Sequence, residues 1–434
     1  MFVRYELLDK IAREAAHVRT RKCEPANSFQ PLPALIIVLS TITLWPAAAR
    51  AQSVTQLCAP KIIANDLLVS GAQREAGGDI AQPPLTDLQD GFAWPDTPIG
   101  VVKTDSGYEF FGSDGGLHSR QYWNGRWYGN NKYGSATRTI GTLSNPLGSA
   151  PPIDVTIQPN PDPSVNPNYP SYDYMGGGPV YHVPPGTVGA GKLLMVYHAE
   201  VPTITTQSFL SLLGLAASSD NGQSWTDLGE IIRVNQAYRT DLDGFDIGDP
   251  PLVISPDGKY FYIYFRDWLA NGTTHWENTI TLVSVARAPI AAVLQAAFGR
   301  EKPRAAAFEK YYSGKWDLQP GIGGFSTDLH PAAQYSGELQ VAYNKDLHRY
   351  MMIIGEGVVI AYSESPDGLT WTLPILLHDF RQDKDQPTTY VAPVGDGDDP
   401  RILGRQFYIY YTRYPTTGAG WNGASVDRFT VSCQ

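Results

Sequence analysis

A turn followed by a short run of aromatic and β-branched residues occurs five times in this 434-residue chain. The runs are Gly107-Tyr108-Glu109-Phe110-Phe111, Gly191–His198, Asp257–Phe265, His348–Ile354 and Arg405–Tyr411. Their composition is that of strands. Ahead of four of them lies a second strand-like run: Ile99–Val102, Pro179–His182, Pro251–Ile254 and Leu339–Tyr343. A unit of about 75 residues exceeds the four strands of a propeller blade and leaves room for loops. The expected fold is all-β, one five-bladed β-propeller over residues 52–434, with a double-sheet sandwich as the competing architecture. Only Pro289–Phe298 and Arg304–Tyr312 have helical spacing. They predict a short helical insertion between the third and fourth blades. Ser149–Pro170, rich in Pro, Asn and Ser, predicts a long irregular loop.

Two turns fit this architecture. Ser218-Ser219-Asp220-Asn221-Gly222-Gln223-Ser224-Trp225 has the S-x-D-x-G-x-x-W form of an Asp-box, and Ser365-Pro366-Asp367-Gly368-Leu369-Thr370-Trp371 is one residue shorter. Asp caps the turn, Gly takes the left-handed position and Trp packs beneath, so these aspartates are expected to be structural.

The N-terminal region has an export pattern. The apolar run Pro31–Ala49 follows Arg19, Arg21 and Lys22 and ends in Ala49-Arg50-Ala51. Residues 1–51 are expected to be a signal peptide with a long n-region, cleaved after Ala51, giving a secreted or periplasmic protein with no stable membrane anchor. Val18 is an alternative initiation site. Of three cysteines, Cys23 leaves with this segment. Cys58 and Cys433 remain near the two ends and, in an oxidising compartment, predict a disulfide that ties the termini together.

Charge and composition narrow the function. The net charge is −10, and removal of residues 1–51 makes it −13. That argues against nucleic acid, which needs clustered Lys and Arg. Only 18% of residues are charged and 12% are aromatic, which suits a neutral, hydroxyl-rich ligand. Gly186–Leu193 nearly spells a phosphate loop but lacks the Ser or Thr that ligates magnesium. Asp396-Gly397-Asp398-Asp399 offers a calcium-type turn but reads as a solvated one. No cofactor or metal is expected, and a monomer is.

The remaining signal is acids at the mouths of strand-like runs. Asp96 precedes the first inner run and Asp114 follows the next strand. Asp173 precedes the second unit, Asp246 and Asp249 the third, and Glu338 opens the fourth, while Glu200 ends a run. Inner strands of a propeller surround one funnel, so these positions face a common cavity. Glycoside cleavage needs two carboxyl groups about one sugar, one protonating the leaving oxygen and one attacking or activating water. Trp94, Tyr122, Trp123, Tyr172 and Tyr174 are candidate sugar platforms, with Arg120 as a polar contact.

Trp-Pro-Asp-Thr-Pro-Ile, Phe-Gly-Ser-Asp-Gly-Gly and Gly-Asp-Pro-Pro-Leu-Val resemble the five-bladed propeller glycosidases of the arabinanase and fructosidase clans. Val285–Pro289, Phe308–Trp316 and Gly337–Asn344 are similar to domain-of-unknown-function family 4185, which includes endo-acting enzymes that cut D-arabinan. The resemblance spans roughly residues 90–420 and implies a hydrolase acting on a furanosidic microbial polysaccharide. By position it implies Asp96 and Asp114 as the catalytic pair. Ser113 intervenes before Asp114 and shifts it along the strand, which leaves Asp249 or Glu338 as alternative partners. The wider clan, with acids from successive blades, favours Asp96, Asp173 and an acid of the third unit. Two other functions fit the same features. One is a non-catalytic carbohydrate-binding propeller. The other is a sialidase-like exo-glycosidase, which would need converging arginines such as Arg120, Arg126 and Arg266.

Overall fold

Each of the five repeated runs forms the second strand of its own sheet: Gly107–Ser113, Leu193–Pro202, Tyr260–Leu269, Arg349–Glu356 and Gln406–Tyr414. The computed structural model describes residues 54–72, 98–113, 121–123, 126–128, 136–146, 148, 153–155, 157–167, 172, 174–202, 209–235, 247–248, 250–269, 280–329, 338–356, 358–382, 386–414 and 424–434. The chain divides into two units, Met1–Ser53 and Val54–Gln434. The first lies outside the described residues, and the expected signal peptide with it.

In each sheet an inner strand precedes the repeated one: Gly100–Thr104, Tyr174–His182, Ile247–Gly248 with Leu252–Ile254, Glu338–Asn344, whose other edge takes the short Ile402–Leu403 in parallel, and Gln386–Val394. The sheets then grow outward by antiparallel pairing. Ala136–Gly141 and Ile153–Val155 complete blade one, and Phe209–Ser218 and Trp225–Arg233 extend blade two, which Ile157–Gln158 joins in parallel. Ile280–Pro289, Glu309–Tyr312 and Lys315–Pro320 extend blade three. Val359–Ser365 and Ile375–Asp379 extend blade four, and Ala424–Cys433 extends blade five.

Side chains alternate between the two faces of a strand, so each sheet buries both faces against its neighbours. The result is five cores, each shared by two consecutive blades. Phe111 and Trp225 meet edge to face between blades one and two, and Tyr181 and Phe261 between two and three. Tyr264 and Trp371 meet between blades three and four, and Phe407 and Tyr362 share the core between four and five. The fifth core joins Phe110, Val101 and Ile99 of blade one to Tyr410, Val394 and Val426 of blade five. Five blades and five shared cores make a closed five-bladed β-propeller.

The ring is closed by the start of the described chain. Pro60–Ala72 pairs antiparallel with Ala424–Cys433 and is the outermost strand of blade five. The expected disulfide is present between Cys58 and Cys433, 375 residues apart. The buried carboxylate of Glu364 on blade four accepts the backbone N–H groups of Leu57 and Cys58 at 2.8 and 2.7 Å, and the Tyr362 hydroxyl. Both ends of the ring are thereby held to blade four as well as to each other.

Both Asp-boxes are structural. Asp220 Oδ1 accepts from Ser218 Oγ and Ser224 N, Gly222 sits at φ 78°, and Trp225 Nε1 donates to Gly222 O. Asp367 Oδ1 accepts from Leu369 N and Thr370 N at 2.8 and 2.7 Å. A third turn, Ser255-Pro256-Asp257-Gly258, uses the same Ser–Asp contact at 2.7 Å.

The helix spans Ile290–Phe298, with Pro289 as its N-cap, between the third and fourth repeats. Two further strands of blade three follow it. Arg304–Tyr312 is not helical: residues 302–308 are irregular and Glu309–Tyr312 is a strand. Lys310, fully buried there, donates to Asp267 at 2.9 Å and to the carbonyls of Arg233 and Gly324. The segment pairs antiparallel with Ile280–Pro289 on one side and Lys315–Pro320 on the other, and tertiary contact overrides the helical spacing. The expected loop 149–170 also contributes structure. It supplies the outer strands Ile153–Val155 and Ile157–Gln158, and Asn160 and Asn166 are buried against blade two.

Candidate active site

The five innermost strands surround one central channel. Its lining includes Ile99–Val101, Pro179–Val180, Pro251–Leu252, Gln340–Ala342 and Ala392–Val394, one segment from every blade. The walls are mainly apolar, with Gln340 as a polar group; its Nε2 donates to Leu339 O at 2.8 Å.

Glu338 stands at the end where the inner strands begin. It is the first residue of blade four's inner strand and shares a strand face with Gln340 and Ala342, which line the channel. Its side chain is buried, and Oε2 accepts the backbone N–H of Tyr390 on blade five at 2.8 Å. Tyr390 is also buried and has φ 62°, a left-handed backbone rare for an aromatic residue. Glu200, half-buried, lies opposite Tyr174 at the start of blade two's inner strand. Two carboxylates therefore stand at the same end of the ring.

The opposite end carries a different charge arrangement. Arg401, which also lines the channel, grips Asp399 through Nε and Nη2 at 2.8 and 2.6 Å and lies 4.6 Å over the ring of Tyr181. Burial pushes the Asp399 carboxyl up, but the Arg401 guanidinium outweighs it and holds the group below its usual value. Asp398 takes Lys103 Nζ at 2.9 Å. These aspartates of the calcium-like turn are thus engaged by cations. Among the described residues no cluster of His, Cys, Asp or Glu has the grouping of a metal site.

Other acids are interior fasteners. Glu109 binds Arg138 and Asn221. Burial raises the Asp227 carboxyl, against the pull of the hydroxyl of Tyr197, the N–H of Gly229 and the amide of Asn166.

Of the residues expected at the site, Asp96, Asp114, Asp173, Asp246, Asp249, Trp94 and Arg120 lie outside the described residues. Tyr122 and Trp123 belong to Gln121–Trp123, paired with Arg126–Tyr128, and Tyr174 opens blade two's inner strand; only their backbones are described. Tyr172 is corrected by the structure. It is 5% exposed, packs in the core between blades one and two, and donates its hydroxyl to Asn166 at 3.1 Å, so no ring face is open for stacking. Its aromatic character reflected the blade core. The contact of Tyr390 with Glu338 is one that the sequence does not announce, because Gln386–Val394, with Pro387 and Pro393, resembles a loop more than a strand.

No family model matches the chain, and no curated protein matches it. Solved structures similar to it include an arabinanase from Bacillus subtilis, at 12% identity over 77% of this chain and 93% of that one, with a TM-score of 0.41. Another is an endo-1,5-α-L-arabinanase from Thermotoga petrophila RKU-1, at 10% identity over 78% and 71%, with a TM-score of 0.41. A third is an α-L-arabinofuranosidase from Fusarium graminearum, at 11% identity over 78% and 92%, with a TM-score of 0.38. At these values the likenesses assign no activity to this chain.

Proposed function

We propose that the chain is an exported glycoside hydrolase acting on a furanosidic microbial polysaccharide, with D-arabinan the first substrate to test. The supporting observation is Glu338, a buried carboxylate that opens the strand whose residues 340–342 line a channel reached by every blade, and that is held by a backbone N–H from the neighbouring blade. A carboxylate fixed in this way is suited to moving a proton to or from a glycosidic oxygen. The motif words around Asp96 and Glu338 point the same way. Asp96 is assigned as nucleophile or base and Glu338 as its acid partner, with Asp114, Asp173 and Asp249 as alternatives. Trp94, Tyr122, Trp123 and Tyr174 would offer stacking surfaces and Arg120 a polar contact. Cleavage after Ala51 would release a monomer outside the cytoplasm, and no cofactor enters the reaction.

The test is a screen of the mature protein with its Glu338→Gln and Asp96→Asn variants on D-arabinan, L-arabinan, fructan and sialylated glycans. Products are sized by chromatography. Oligosaccharide release by the parent and its loss in both variants is the expected result. Retention of one glycan by all three proteins without cleavage would replace the hydrolase by a carbohydrate-binding propeller. Release of sialic acid alone would favour the sialidase-like alternative.

A further inference from the structure

Among the described residues, four that are not glycine have positive φ: Asn221, Ser313, His348 and Tyr390. The first three occupy turns between strands. Tyr390 lies inside one, the inner strand Gln386–Val394 of blade five. The pairing of that strand with Gln406–Tyr414 shifts register between Thr389 and Ala392, so Tyr390 sits in a bulge. An extended residue at this position would keep its N–H in the plane of its own sheet. The left-handed twist takes it out of that ladder, and it donates instead to Glu338 Oε2 on blade four at 2.8 Å. A bulky residue held in this conformation within a strand is strained unless surrounding contacts impose it, and such residues gather at functional sites.

We propose that Tyr390 is a positioning residue whose backbone conformation serves to aim one N–H at Glu338 and fix that carboxylate at the end of the ring where the inner strands begin. The proposal rests on the hydrolase reading for its catalytic consequence, but the contact itself can be tested without activity. Its key element is the backbone, not the phenol. Asparagine tolerates the left-handed region and valine does not, while both remove the ring.

Two measurements decide it. In the first, the full chain is labelled with 15N-tyrosine, and the Tyr390 amide is identified by its loss in Tyr390→Asn. Acid titration should move that amide resonance in the parent and leave it still in Glu338→Gln. An amide indifferent to acid in the parent, or one that responds equally in Glu338→Gln, overturns the proposal whether or not any glycan is cut. In the second, kinetics on D-arabinan compare Tyr390→Asn with Tyr390→Val, both checked for folding by circular dichroism. The kcat of the valine variant should fall about tenfold or more below that of the asparagine variant, about 1.4 kcal/mol in barrier, with KM values within about twofold. Equal kcat values, or a difference confined to KM or to melting temperature, would reduce Tyr390 to a structural residue. A parent inactive on D-arabinan would count against the substrate reading and leave the amide titration to decide the contact.

Discussion

Glu109 and Arg138 meet at 2.7 Å with side chains 0% and 4% exposed, on adjacent strands of blade one. The second oxygen of Glu109 accepts from Asn221 Nδ2, in the Asp-box turn of blade two, and from Thr104 Oγ1, both at 2.7 Å. A buried ion pair thus also serves as a bolt between blades. Removing one partner strands a charge in the interior. Glu109→Ala and Arg138→Ala should each lower unfolding free energy by about 3–5 kcal/mol, with the double variant well short of their sum. Urea denaturation measures this, and additive losses would refute the coupling.

The Cys58–Cys433 disulfide closes a span of 375 residues. A cross-link over so long a span restricts the unfolded chain strongly, and its loss should cost about 2–5 kcal/mol. The ladder between Pro60–Ala72 and Ala424–Cys433 and the Glu364 contacts remain, so the reduced protein should still fold. Thermal melts of the parent with and without dithiothreitol, beside Cys433→Ser, provide the check. An unchanged midpoint would show that the strand ladder alone closes the ring.

Asp399 has its carboxyl lowered from 3.8 chiefly through Arg401, against the opposing effect of burial. A carboxyl lowered in the folded state binds fewer protons there than in the unfolded chain. Its stabilisation is therefore complete above the unfolded value and is lost as pH falls through the folded one. The stability gap between the parent and Asp399→Asn should be flat near neutral pH and shrink below 3.8. Guanidinium titrations from pH 2 to pH 7 test this; a gap that widened in acid would contradict the assignment.

Tyr172 donates its hydroxyl to Asn166 within a buried network that ends on Asp227. Tyr172→Phe should cost about 1 kcal/mol of stability, the ordinary net worth of one such bond, and leave glycan binding unaltered. Affinity electrophoresis in polysaccharide gels alongside melting curves separates the two effects. Weaker retention with an unchanged melt would restore Tyr172 to the site.

The repeats were legible because a blade's second strand is buried on both faces and cannot be polar. Tyr262–Phe265 and Phe407–Tyr411 declare themselves through composition alone. The Asp-boxes were legible because a tight turn admits few residue types. Inner strands were harder to read. Gln386–Val394 has two prolines and a left-handed tyrosine, tolerable because this strand is an edge of its sheet, paired only with Gln406–Tyr414. Arg304–Tyr312 misled because helical spacing is a local property, whereas the partners of Lys310 come from Asp267, Arg233 and Gly324.

By itself the sequence determined the strand class, the number of blades, the capped turns and the pair of cysteines that closes the ring. Each of these follows from local composition or from the placement of a few residues. Only the tertiary structure decided which acids are fasteners and which opens a channel-lining strand. Glu109, Asp227, Glu364 and Glu338 are alike as letters. Their roles differ because a carboxylate's chemistry is set by what surrounds it: an arginine for Glu109, a tyrosine hydroxyl for Asp227, the amides of Leu57 and Cys58 for Glu364, and the amide of a twisted tyrosine for Glu338.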